Sequence, residues 1–265
     1  MKLHLNDIVD KHKNITALIM GHGPSLNNEL EKAYTYMEEN PASLQFSCND
    51  WFTHIETKPN YWVLASGSES ITVHHRKMNE VGATVLYARN IDLTPYSFID
   101  ANLSCDFLGY DQRHFNTQPC PAHGSRQIYK NGISCCSRID KNQLCIQEQV
   151  QKLSNYPEHY SSGDSVSLHM IAAAIIMGCN PIYLLGMDMS YTRGGDLYAK
   201  ALKPGTIITN KQGSPDVGGL DNARPRVKKD FDILQGSAQN LNIQIINTTK
   251  DPWYSSFELG SLHEK

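Results

Sequence analysis

The feature that most constrains this chain is an apolar run that breaks into a glycine turn and then becomes amphipathic. Ile15-Thr16-Ala17-Leu18-Ile19-Met20 reads as a strand, Gly21-His22-Gly23 as a turn, and Pro24-Ser25-Leu26 as a helix start. Helical spacing follows at Leu26, Leu30, Ala33 and Met37, and Pro41 closes the helix. Strand, glycine turn and helix in that order form the opening unit of an open α/β sheet, in which a helix N-terminus can gather phosphates. Gly21 and Gly23 are read as positions free to take positive φ and to let a ligand approach the backbone; Pro24 suits a first helical turn and Ser25 an N-cap. G-x-G-P-S-L lacks the third glycine of the dinucleotide fingerprint and the G-K-[S/T] of a P-loop, so the turn alone fits a phosphate site or a plain tight connection.

The βαβ alternation continues. Strands are predicted at Leu44 to Cys48, Tyr61 to Ala65 and Ala83 to Tyr87, with a helix ending near Val81. Asn49, Asp50, Ser66 and Ser68 fall at carboxyl ends of these strands, where such sheets place ligand groups. From about 90 to 160 the periodicity fades, apart from a helix near Asn142 to Leu153, and this stretch reads as an irregular insertion covering the site. Val166 to Met177 is apolar nearly all round and predicts a buried helix. Pro181 to Leu185 predicts a central strand, followed by Gly186-Met187-Asp188. About 191–222 is long for a connection and reads as a lid loop; a helix from about Ala223 to Asn240 and a last strand at Ile243 to Asn247 complete the chain. The expected fold is therefore α/β, Rossmann-like, one domain over 1–265, with a mostly parallel sheet flanked by helices.

Charge narrows the partners. With 24 basic and 27 acidic side chains the net charge is −3, which offers no field for a polyanion, so nucleic acid is not expected. The longest apolar run, Met170 to Met177, is too short for a transmembrane segment, and the charged N-terminus does not resemble a signal peptide, so the reading is cytoplasmic.

Three separated pieces then form one pattern: Gly21 to Leu26; Ser47-Cys48-Asn49-Asp50; and Ser161-Ser162-Gly163-Asp164-Ser165 with Gly178-x-x-Pro181-Ile182-Tyr183-Leu184-Leu185-Gly186-Met187-Asp188. In that order they resemble the bacterial family 42 sialyltransferases, the motility-accessory-factor glycosyltransferases and the 6-hydroxymethylpterin diphosphokinase-like domains. The resemblance covers most of the chain outside 90–160. It implies a nucleotide-activated donor, CMP-sialic acid in the sialyltransferases, held at the carboxyl edge of the sheet. Carried over by position, Gly21, Gly23, Pro24, Ser25 and Asn49, with Asp50 and Ser66 beside them, would face the nucleotide, and Gly163, Asp164 and Ser165 the nucleotide or the sugar carboxylate. Tyr191 and Tyr198 match the two tyrosines that hold the departing phosphate in that family, with one extra residue between them. Phenol hydroxyls can stabilise charge growing on a leaving phosphate without a metal.

The chain also departs from the pattern. His22 stands where the family usually has asparagine, Ala65 or Ser66 replaces another asparagine, and Asp221 to Arg226 lacks the family's histidine general base. His22 is the histidine best placed to substitute, its alternative being a turn residue pointing to solvent. Asp188 either ligates Mg²⁺ beside a nucleotide or orients the loop that follows. Cys120-x-x-His123 with Cys135, Cys136 and Cys145 completes no known zinc ribbon, and reduced cysteines are expected. His74-His75 reads as a solvated pair, His169 as a core histidine, and Arg224 to Lys229 as a basic face at a helix start.

The resulting expectation is a glycosyltransferase moving a sugar, a nonulosonic acid such as sialic acid, from a CMP-activated donor to a hydroxyl on a glycan or other acceptor. Tyr191, Tyr198, His22 and Asp188 are its candidate catalytic residues, and no cofactor is required. The alternatives are an ATP- and Mg²⁺-dependent diphosphokinase using Asp188 and Asp50, and a nucleotide-binding module without catalysis. Assembly into a homo-oligomer is left open.

Overall fold

A computed structural model describes residues 1–64, 67–88, 96–110, 144–160, 165–188, 217–250, 252 and 254–262, with backbone alone at 67–70, 96–97 and 217–224. Its centre is an eight-stranded, wholly parallel sheet: β1 (Ala17–Met20), β2 (Leu44–Cys48), β3 (Tyr61–Leu64), β4 (Thr84–Ala88), β5 (Phe107–Tyr110), β6 (Ile182–Leu185), β7 (Ile245–Asn247) and β8 (Glu258–Leu259). The order across the sheet is β5-β4-β3-β2-β1-β6-β7-β8. The chain thus builds outward from β1 to one edge, returns, and builds outward again from β6. The reversal falls between β1 and β6, the switch point at which open α/β sheets leave a crevice at the carboxyl ends of their strands.

Burial on both faces explains the near-continuous apolar strands. In β1, Ala17 and Ile19 join one core and Leu18 and Met20 the other, the period of two imposed by a pleated strand. On the first face Phe46, Val63 and Leu184 pack with α4 (Ile146–Ser154), α5 (Val166–Ile176) and α6 (Val217–Asn240). On the second, Trp62, Val85 and Leu185 pack with α1 (Leu26–Glu39), α2 (Gly67–Val81) and α3 (Tyr96–Asn102). Helix α5 is buried along nearly its whole length, as its all-round apolarity predicts, and His169 within it stacks on Tyr110 in the core, 5.4 Å between ring centroids. Among the described residues no helix is long and apolar enough to cross a membrane.

Three boundaries differ from the sequence reading. The stretch expected as an insertion from about 90 contributes α3 and β5 to the domain itself. β5 is only four residues long, and its place comes from pairing with β4 and from Lys2 bridging to Phe107, neither of which is local in sequence. Ile243 to Asn247 is not the last strand: β8 follows it, a two-residue edge strand exposed on both positions and so without a burial pattern to read. Helix α6 begins at Val217, inside the expected lid loop, and runs through Pro225, which the sequence reading places at the helix start. Arg226 to Lys229 therefore sit well inside the helix rather than against its positive end, and Lys228 pairs with Asp232 at 2.8 Å.

Candidate functional site

The glycine turn after β1 and the Gly186 turn after β6 meet at the switch point and are laced together. Gly21 N donates to the Leu185 carbonyl at 2.8 Å and Gly23 N to the Gly186 carbonyl at 2.9 Å. Positive φ is not what makes glycine necessary at 21 and 23, since among the described glycines it occurs only at Gly82, Gly178 and Gly186. Space is. A Cβ at Gly21 would stand 2.6 Å from the Gly186 carbonyl oxygen, and one at Gly23 would overlap Asp188 Oδ2.

Ser25 does not cap α1. It has helical backbone angles, φ −59 and ψ −27, because Leu26 N already bonds the Gly23 carbonyl and Asn27 N the Pro24 carbonyl, placing Pro24 in the first turn as the sequence predicts. The capping group comes from the turn after β6: Asp188 accepts from Ser25 N at 3.2 Å with each carboxylate oxygen, and from Ser25 Oγ at 2.9 Å. This satisfies an otherwise orphan donor and sets a negative charge on the positive end of the helix. The structure thus gives Asp188 a loop-orienting contact; a phosphate approaching this helix end would meet a carboxylate already there.

Glu29, one turn beyond Ser25, was not singled out in the sequence. It is buried, takes the Gly186 N–H at 2.7 Å and the Thr248 hydroxyl at 3.0 Å, and so ties α1 to the loops after β6 and β7. Burial raises its carboxyl above the usual range, with Asp188 nearby adding to the effect. The only local signal was its i+4 spacing from Ser25, which puts both on one helix face. Thr249 Oγ1 lies 3.2 Å from Ser25 Oγ, and buried Tyr254 donates to the Met187 carbonyl at 2.9 Å, completing the floor of the crevice.

Beside this unit, the end of β2 holds two imidazoles. His22 does not point to solvent: it is half-buried, and its Nε2–H donates to the Cys48 carbonyl at 3.0 Å, its ring 5.1 Å from that of His54. Burial, reinforced by His54, lowers its pKa from 6.5 to about 4, so near neutral pH the ring is uncharged. Asn49 takes the left-handed conformation at φ 43, tolerable for asparagine, and its carbonyl accepts the Trp62 indole N–H at 2.9 Å. Asp50 then pairs with His74 Nε2 at 3.0 Å, and this contact holds its carboxyl below the ordinary value. His74 is therefore not half of a solvated pair: its ring stands against Phe52 and Trp62. Burial raises the Cys48 thiol to about 12, so it stays protonated beside them.

Ser165 caps α5, accepting from Ser167 N at 3.3 Å. Because α5 returns to the start of β6, its N-terminus faces the carboxyl edge of the sheet. Gly163, Asp164, Ser66, Tyr191 and Tyr198 lie outside the described residues, as do Cys120, His123, Cys135 and Cys136. Cys145 is buried at the start of α4. The described part of the site thus brings together Gly21, His22, Gly23, Pro24, Ser25 and Asp188, with Asn49 and Asp50 beside them on the next strand. Among the described residues no group of three or more His, Cys, Asp or Glu could hold a metal ion. A comparison with protein-family models finds no match to this chain, and a comparison with curated proteins finds none either.

Proposed function

We propose that this protein is a glycosyltransferase that takes a sugar, a nonulosonic acid such as sialic acid, from a CMP-activated donor and passes it to a hydroxyl acceptor. The observation that carries the reading is the meeting of the glycine turn and the Gly186-Met187-Asp188 turn across the switch point of a parallel sheet. These are two of the three pieces on which the family resemblance rests. A nucleotide lying along that edge would pass Asn49 and Asp50 at the end of β2.

The engaged N-terminus of α1 bears on how the leaving phosphate is handled. With Ser25 N committed to Asp188, charge on the phosphate has to be met elsewhere, and Tyr191 and Tyr198, which follow Asp188 in the chain, are the groups proposed to donate to it. The bond between the sugar's anomeric carbon and the phosphate oxygen breaks with its electron pair going to CMP, while the acceptor oxygen bonds to that carbon and its proton passes to a base.

The test is a thermal-shift panel of CMP, CDP, UDP, GDP and ATP, each with and without Mg²⁺, followed by CMP release from CMP-sialic acid. We expect CMP to stabilise the chain without metal, by about 2.7 kcal/mol near one hundred times its Kd. Stabilisation by ATP with Mg²⁺ alone would replace the reading with that of a diphosphokinase. CMP binding without release from any CMP-activated donor would leave a nucleotide-binding module.

A further inference from the structure

A transferase of this kind needs a group to take the acceptor's proton, and the sequence lacks a histidine from Asp221 to Arg226 where the resemblance would place one. His22 is poorly suited to the task. Its Nε2–H is spent on the Cys48 carbonyl, and burial keeps the ring a weak base, with a pKa of about 4.

Helix α2 presents another imidazole, His74, in the opposite setting. His74 Nε2 donates to Asp50 Oδ1 at 3.0 Å, its ring is held between Phe52 at 5.4 Å and Trp62 at 6.3 Å, and its side chain keeps 23% of its surface exposed. A carboxylate bonded to one ring nitrogen fixes the tautomer, leaves the other nitrogen as acceptor, and stabilises the imidazolium formed when a proton arrives. Phe52 and Trp62 restrict the ring while partial exposure leaves it open to a ligand. Resting on the transferase reading above, we propose that His74, positioned by Asp50, is the general base of this site. In the step it serves, the acceptor O–H gives its proton to His74 Nδ1 as the oxygen bonds to the anomeric carbon. The anomeric carbon–phosphate bond breaks toward CMP, and the imidazolium later returns its proton to water.

The groups facing this pair are His22 from the turn after β1, His54 from the turn after β2 and, on α2 itself, Lys77, whose ammonium lies 4.4 Å from the centre of the Phe52 ring. The experiment measures CMP release from CMP-sialic acid against pH, with water as acceptor, for the full chain and for His74→Gln, Asp50→Asn and the exposed control Arg76→Gln. We expect His74→Gln to lower kcat by about a hundredfold or more, to leave CMP-induced stabilisation unchanged, and to abolish the acidic limb of the wild-type profile. Asp50→Asn keeps the ring but removes the carboxylate that fixes its tautomer, so it should lower kcat as well, and it carries the test if His74→Gln fails to fold. Wild-type kcat with an intact acidic limb in His74→Gln, or wild-type kcat in Asp50→Asn, overturns the proposal alone. A wild-type chain that neither binds CMP nor releases it overturns the transferase reading, and the proposal with it.

Discussion

Replacing His22 with asparagine should remove a defined part of the acid sensitivity of this fold. In the folded chain burial and the neighbouring His54 hold the His22 imidazole at about 4, against 6.5 for a free side chain. Between those values the unfolded chain binds a proton that the folded chain refuses, so stability is full above pH 6.5 and is lost as pH falls toward 4. The gap corresponds to about 3 kcal/mol over the whole window and about 2 kcal/mol between pH 7 and pH 5. His22 keeps some exposed surface, and solvent there screens part of the effect, so about 1–2 kcal/mol is expected in that interval. Asparagine does not titrate, and because its shorter side chain gives up the bond from Nε2 to the Cys48 carbonyl at both pH values, that loss cancels in the comparison between them. The assay is urea unfolding of wild type and His22→Asn at pH 7 and pH 5, provided both unfold in two states. Wild type should lose about 1–2 kcal/mol more than the variant on acidification. Carboxylates that titrate in the same interval act on both proteins and cancel in the difference. Equal losses in the two proteins would show that the ring is not held neutral by its surroundings and would refute the argument.

Gly23→Ala should destabilise the fold by about 2–3 kcal/mol in the same unfolding assay, because its Cβ would overlap Asp188 Oδ2 and lie 2.6 Å from the Gly186 carbonyl oxygen; Asp188→Ala in the same chain should recover only the side-chain part. Glu29→Ala should cost about 2–3 kcal/mol by leaving the Gly186 N–H buried without its acceptor. Because the Glu29 carboxyl is raised, the folded chain holds its proton more tightly than the unfolded one, so wild type should lose stability as pH climbs from 4.5 through the folded value, and Glu29→Gln should flatten that slope in a pH series of melting temperatures. Tyr191→Phe and Tyr198→Phe should each slow CMP release roughly ten- to hundredfold in kcat with little change in KM, and wild-type rates in both would remove them from the mechanism.

The fold was legible where the signal is local. The strand-to-helix transition at Gly21, the alternating strand at Leu44 to Cys48, the continuous apolar strand at Ile182 to Leu185, and the all-round apolar α5 each carry their pattern in their own residues, and the pattern survives into structure because burial enforces it. Short edge elements lacked that signal, since β5 and β8 are strands by virtue of the neighbours they pair with. The site divides in the same way. Sequence placed Gly21, Gly23, Ser25, Asn49, Asp50 and Asp188 at strand ends, because a parallel sheet puts its turns there. What those residues do was decided by contacts between parts of the chain more than 150 residues apart: Asp188, not Ser25, caps α1, and Glu29 reaches Gly186. The roles of His22 and His74 were likewise closed to the sequence, because a histidine's charge and tautomer are set by what surrounds the ring. Burial and the neighbouring His54 keep His22 neutral, and the Asp50 carboxylate holds His74, and none of these is visible until the sheet has brought β1, β2 and α2 together.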